Sequence, residues 1–217
     1  MISSHCPIRR RRKEARPQEL LDAALDLFVE KGFAATRLDE VARRAGVSKG
    51  TVYLYFPGKE ELFKSVVRHS LTPIIAVGAD LLDSHRGRTA ELLRELMQVW
   101  WERVGSTRAS GIFKLVLAEA CNFPDLTRFY VDEVVLPVRR VLAGAIERGI
   151  ASGEFRRLNP DEVVHALIAP AQYLVLHQHS IGACGFHEMD LDVRSFLDTQ
   201  LDLFLHGLAA DPREGAR

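Results

Sequence analysis

The sequence predicts an all-α protein with a three-helix head and a larger helical body. Three observations carry this. Apolar residues recur at helical spacing along almost the whole chain, and no convincing alternating strand pattern interrupts them. Stop and start signals such as Gly32, Gly46, Gly153 and Asn159-Pro160-Asp161 cut the pattern into helix-sized pieces. The 217 residues, 47% hydrophobic and 27% charged, suit a soluble globular chain long enough to bury a real core. The expected organisation is a disordered basic arm over 1–16, a helix-turn-helix head over 17–62 and a body over 63–217.

The arm is polar, basic and aperiodic, with the run Arg9-Arg10-Arg11-Arg12-Lys13. It reads either as a solvated tail or as a source of phosphate and minor-groove contacts. Leu20, Leu21, Ala24, Leu27 and Phe28 then mark a helix over 17–31, stopped by Gly32. Thr36, with Asp39 three residues on, reads as a short variant of the capping box for a helix over 37–45. Leu38, Val41 and Ala42 form the apolar stripe of that helix. Gly46 supplies the left-handed turn, Val47 plugs the core and Ser48 caps a short helix over 48–55. The body reads as helices 59–84, 88–105, 109–121, 125–152, 160–182 and 190–208. Pro73 and Pro170 are expected to kink or split theirs.

Charge separates the two parts. Residues 1–60 hold 12 Lys/Arg against 8 Asp/Glu, and the remainder holds 17 against 21. A basic end on a mildly acidic remainder points to one end meeting a polyanion. Cys6, Cys121 and Cys184 lack metal or redox spacing and fit a reducing, cytoplasmic setting. No secretory signal is visible. The stretch from Val163 to His187 carries no formal charge, but its Pro170, Gln172, His177, Gln178 and His179 are costly in hydrocarbon, so no membrane partner is expected.

The helix 48–55 carries the functional signal. Val52 and Phe56 share one face and should bury against the head. Gly50 and Leu54 then point the opposite way, flanked by Thr51 and Tyr53. Such a face suits a DNA major groove. Glycine permits close backbone approach, and Leu54 or the Thr51 methyl can meet a thymine methyl. Tyr53 and Tyr55 offer hydroxyls to phosphates, while Lys49 and Lys59 offer charge.

Gly32-Phe33, Thr36, Asp39 to Ala42, Ala45 to Thr51, Tyr53, Tyr55-Phe56 and Lys59 to Leu62 together resemble the TetR family of transcriptional regulators. The run IERGIASGEFR, Ile146 to Arg156, also looks like the C-terminal half of such regulators. The resemblance implies a homodimer that binds double-stranded DNA at a palindromic operator. It places Thr36, Arg37, Ser48, Lys49, Gly50, Thr51, Tyr53, Tyr55 and Lys59 where the family touches DNA. It further implies a body that binds a small-molecule effector, pairs through its last two helices and releases DNA when the effector changes the spacing of the heads. Pro57-Gly58 stands where the family often has a small polar residue.

In the body, Trp100, Trp101, Phe113, Tyr130, Gln172, Tyr173 and His177 are candidates for an apolar effector pocket with a few polar anchors. Most such aromatic residues are core in a helical bundle. The surplus apolar residues of the last two helices, including Leu167, Leu174, Phe196, Leu197, Leu201 and Phe204, are expected at a two-fold interface. No cofactor or metal site is expected. No catalytic motif is found, so a helical enzyme is a weaker reading than an architectural nucleic-acid binder, and both are weaker than a repressor.

Overall fold

The computed structural model describes residues 12–185 and 192–209, with side chains from residue 17 onward. Ten α-helices follow in order: α1 (Arg12–Lys31), α2 (Leu38–Arg44), α3 (Lys49–Tyr55), α4 (Lys59–Ser84), α5 (Thr89–Trp100), α6 (Gly111–Glu119), α7 (Pro124–Tyr130), α8 (Leu136–Ala151), α9 (Pro160–His179) and α10 (Val193–Leu208). Among the described residues the sole extended pairing is an isolated bridge between Phe155 and Ala209. No described helix is long and apolar enough to cross a membrane.

α1 begins at Arg12, inside the segment expected to be disordered, and runs through Pro17. Residues 1–11 of the basic arm lie outside the described residues. The inward face of α1 buries Leu20, Ala24, Leu27 and Phe28. Gly32, at φ 87°, ends the helix in the left-handed conformation that glycine adopts without strain. The Phe28 ring stacks on Phe33 at 5.7 Å and meets Phe63 edge-on at 5.5 Å, while Phe123 from the body closes on Phe33 at 4.7 Å. Such aromatic pairs add to plain area burial.

α4 links the two parts. Its first turns bury Leu62, Phe63, Val66 and Val67 in a core shared by α1, α2, α3, α6 and α7. A second core gathers α5, α8, α9 and α10 around Leu92, Leu93, Ala145, Ile146 and Leu167. Packing is therefore continuous across Leu62, because α6 and α7 share their core with the head. Charged contacts reinforce that junction. Asp26 pairs with Arg108, Glu30 stands 3.6 Å from the same guanidinium, and the Ala34 amide donates to Glu119 at 3.1 Å.

Helix continuity differs from expectation in where it breaks. Neither Pro73 nor Pro170 splits its helix. The interruptions fall instead at π-helical turns, Trp101–Gly105 after α5 and Val131–Val135 after α7. At the first, the Trp101 indole lies against Gly105 so closely that a Cβ there would collide with it. A widened turn accommodates that contact.

A half-buried carboxylate fixes the start of α5. Glu154 accepts from the Thr89 amide at 2.6 Å and the Ala90 amide at 3.1 Å. Burial works to raise the Glu154 pKa. The two amide hydrogen bonds and the nearby Arg88 charge outweigh it, so the carboxyl sits below its usual range.

Candidate nucleic-acid interface and effector cavity

The turn between α2 and α3 explains how α3 is presented. Gly46 takes φ 67°, and the Val47 amide closes back on the Ala42 carbonyl at 2.9 Å. Val47 packs against the first core as expected. The Ser48 hydroxyl then caps α3 by accepting from the Thr51 amide at 3.2 Å, and it shares a 2.9 Å hydrogen bond with the Thr51 hydroxyl.

Seven residues make only two turns, so α3 owes its stability to what it packs against. Val52 is fully buried and Phe56 nearly so. The opposite side is bare. Leu54 is 78% exposed and Tyr53 48% exposed. Lys49 holds its ammonium 5.8 Å from the Tyr53 ring. A Cβ at Gly50 would meet nothing nearer than the Ser48 hydroxyl at 3.8 Å. Packing within the chain therefore gives no reason for glycine at that position. Arg37 is largely exposed beside Asp39 at 3.1 Å.

Three residues of the expected DNA-facing set behave differently. Thr36 does not cap α2; Arg37 occupies the cap position, and its side chain makes no capping bond to the helix backbone. The Thr36 side chain is instead buried, at 1% exposure, and its hydroxyl donates to the carbonyls of Gly32 (2.7 Å) and Leu27 (3.2 Å). Orphan carbonyls at the end of α1 draw it inward. Tyr55 is half-buried against the first core. Lys59 donates to the carbonyls of Phe33 (2.8 Å) and Ala34 (2.9 Å), with its ammonium 4.6 Å from the Phe33 ring. Burial pulls the Lys59 pKa below its usual value. Lys59 thus braces the loop behind α2, and α4 starts at Lys59 as expected despite Pro57-Gly58.

The body contains an apolar cavity of about 120 Å³ between α4, α5, α8 and α9. Leu71, Ile74, Ile75 and Gly78 line it from α4, and Leu96, Met97, Val99 and Trp100 from α5. Val104, Val134, Val138, Val141, Leu142 and Ile168 complete the wall. No charged side chain takes part. Of the seven expected pocket residues, Trp100 alone lines this cavity. Trp101 turns to a neighbouring cavity between α5 and α10. Tyr130 is buried in the first core, where desolvation pushes its hydroxyl up to about 12. Phe113, Gln172 and His177 are half-buried elsewhere, and Tyr173 is 56% exposed with its ring 6.3 Å from that of His177. The aliphatic wall carries no sequence signal that separates it from ordinary core.

The expected interface residues also divide. Leu167, Leu174 and Leu201 are buried within the chain itself, on the faces that α9 and α10 turn toward the bundle. Phe196, Leu197 and Phe204 are half-buried. Histidines aside, the exposed uncharged residues of these helices are Ala166, Ala169, Tyr173 and Gln178 on α9, and Ser195, Thr199, Leu203 and Gly207 on α10. Leu203 is 70% exposed.

Residues 20–66 match the family described as bacterial regulatory proteins, tetR family, and residues 84–182 match the tetracyclin repressor-like C-terminal domain. The transcriptional repressor KstR2 of Rhodococcus jostii is 25% identical over 191 residues, covering 88% of this chain and 91% of that protein. The Escherichia coli regulator RutR is 46% identical over 63 residues, or 29% of this chain and 30% of its own. The fatty acid degradation regulator FadR of Bacillus halodurans superposes with a TM-score of 0.72 at 18% identity, covering 94% of this chain and 97% of its own. FadR of Bacillus subtilis, solved with stearoyl-CoA, superposes with a TM-score of 0.68 at 19% identity, covering 88% and 98%. The head with its outward α3, the helical body and these matches along both parts lead to one conclusion: the chain belongs to the TetR family of bacterial transcriptional regulators and binds DNA.

Proposed function

We propose that the protein is a homodimeric repressor, working in the cytoplasm, that holds a palindromic operator through two copies of α3 and releases it when a small molecule enters the body cavity. The observation that carries this is the bare face of α3, where Leu54 is 78% exposed and a Cβ on Gly50 would meet nothing nearer than the Ser48 hydroxyl at 3.8 Å. An isolated exposed leucine needs no explanation, but leucine, tyrosine and an unexplained glycine together on one face fit a groove edge. Arg37, Ser48, Lys49, Thr51, Tyr53 and Tyr55 surround it, and Thr36 and Lys59 support it from behind. Two-fold pairing falls to the uncharged exposed residues of α9 and α10 rather than to their buried leucines. The head extends over 17–62, with α4 as the lever into the body.

α4 contributes both to the head core, through Leu62 and Phe63, and to the cavity wall, through Leu71 to Gly78. An occupant that favours one placement of α4 therefore shifts the spacing of the heads. That link favours an effector-controlled repressor over an architectural binder. A selection from random duplexes with the full-length protein tests the reading. The expected product is an inverted repeat. Tyr53→Ala or Thr51→Ala should lower its affinity at least ten-fold with the helical signal unchanged. Wild-type affinity in both variants, or enrichment of no sequence, would reject α3 as the reading element.

A further inference from the structure

We infer that the effector site is bipartite, with an apolar lobe and a polar lobe on two sides of Met97, and that it takes a compact amphiphile with an uncharged polar head. The inference rests on the proposal that the body cavity is the effector site. It starts from size. The apolar cavity measures about 120 Å³. A site that buries a whole small-molecule ligand is usually about 300–1,000 Å³, and an apolar void of about 150 Å³ holds one benzene-sized group. The apolar cavity therefore accepts one end of a ligand, and it offers that end no charged partner.

The rest of the ligand has an adjacent place. A second cavity of about 300 Å³ lies between α5 and α10. Met97 is the one described residue that lines both. Its unbranched thioether side chain is suited to yield between two filled lobes. Successive residues where α5 passes into the π-helical turn divide between them: Trp100 lines the apolar lobe and Trp101 the polar one.

The charges of the second lobe select the head group. Arg94 and Arg194 are balanced by Glu102 and Asp198 around the wall. Arg94 already reaches Asp202 at 3.1 Å, Arg194 stands 3.8 Å from Glu102, and the Gln98 amide donates to Glu102 at 3.0 Å. An anionic head would compete with those carboxylates for the arginines. A hydroxyl or carbonyl can use guanidinium and amide protons left over, since each arginine has five. A long acyl chain with a highly charged carrier, as in the FadR complex, fits neither the size of the first lobe nor the balance of the second.

The chain contains two tryptophans, one in each lobe, and they supply the test. Phenylbutanol, phenylbutyrate and butylbenzene share a tail and differ in the head. In Trp101→Phe, all three should change the emission of Trp100. In Trp100→Phe, phenylbutanol should change the emission of Trp101 and butylbenzene should not. Wild type should bind phenylbutanol about five-fold tighter than butylbenzene, the range of one or two neutral hydrogen bonds. Gln98→Leu and, separately, Arg194→Met should erase that preference with the helical signal intact. A responding Trp100 beside a silent Trp101, with equal affinity for alcohol and hydrocarbon, would overturn the bipartite site and leave the effector cavity standing. Tighter binding of phenylbutyrate would overturn the uncharged head. Silence of Trp100 toward all three would overturn the cavity reading itself.

Discussion

The head and the body use apolar side chains in opposite ways. In the head the interior is filled: Phe28, Phe33 and Phe63 meet within 5.7 Å of one another, and the unusual apolar residue, Leu54, is on the outside. In the body the interior itself is unusual, for it holds space behind a wall of valines, leucines and isoleucines that do not quite close. A surface that reads DNA must be rigidly supported from behind. A site that admits an effector must leave packing unmade, and packing left unmade is stability forgone.

The largest effect that tests this contrast is Phe28→Ala. Phe28 is 1% exposed and touches both other rings of the head. Its loss should cost about 3–5 kcal/mol, the usual range for a large aromatic residue removed from a closed core. Urea unfolding followed by circular dichroism would show it, together with lost operator binding. A cost below about 1 kcal/mol would mean that the head interior is no better filled than the body.

Thr36 tests the support behind α3 at a smaller scale. Its hydroxyl serves two carbonyls at the end of α1. Thr36→Val keeps the shape and strands those acceptors, at a cost of about 1–2 kcal/mol, and Thr36→Ser should recover much of it. If Thr36→Val instead unfolded like wild type while DNA affinity fell, Thr36 would act on the DNA side, as the family resemblance implies.

Thr36 also shows where the sequence stops being legible. The glycine turn at Gly46, the Ser48 cap and the buried Val52 and Phe56 depend on neighbours within a few residues, and all are readable from local chemistry. The inward turn of Thr36 and the brace from Lys59 depend on carbonyls brought close by the packing of α1 on α4. Residues of type and spacing alone then suggest an exposed role. The cavity is less legible still. Val138 on α8 and Ile74 on α4 line a void for the same reason that Ile146 and Val66 fill a core: helix packing decides, across long separations. The apolar leucines of α9 and α10 likewise satisfy the pattern of an interface and of a core equally well, and the bundle claims Leu167, Leu174 and Leu201.

Gly78 gives the smallest effect and the sharpest comparison. It sits in the interior of α4 and lines the apolar cavity. A Cβ there would lie 3.5 Å from Val141 and 3.6 Å from Leu96, ordinary contact distances. Alanine should therefore enter without strain and stabilise the chain by about 1 kcal/mol, through helix propensity and the added contact. The same methyl group narrows the lobe. Thermal unfolding should show the gain, and a titration of operator-bound Gly78→Ala with effector should need more effector to release the DNA. A more stable variant with an unchanged release curve would separate the cavity from the response. A less stable one would show that α4 already packs tightly at Gly78, and the contrast between a filled head and an unfilled body would fail at the helix that joins them.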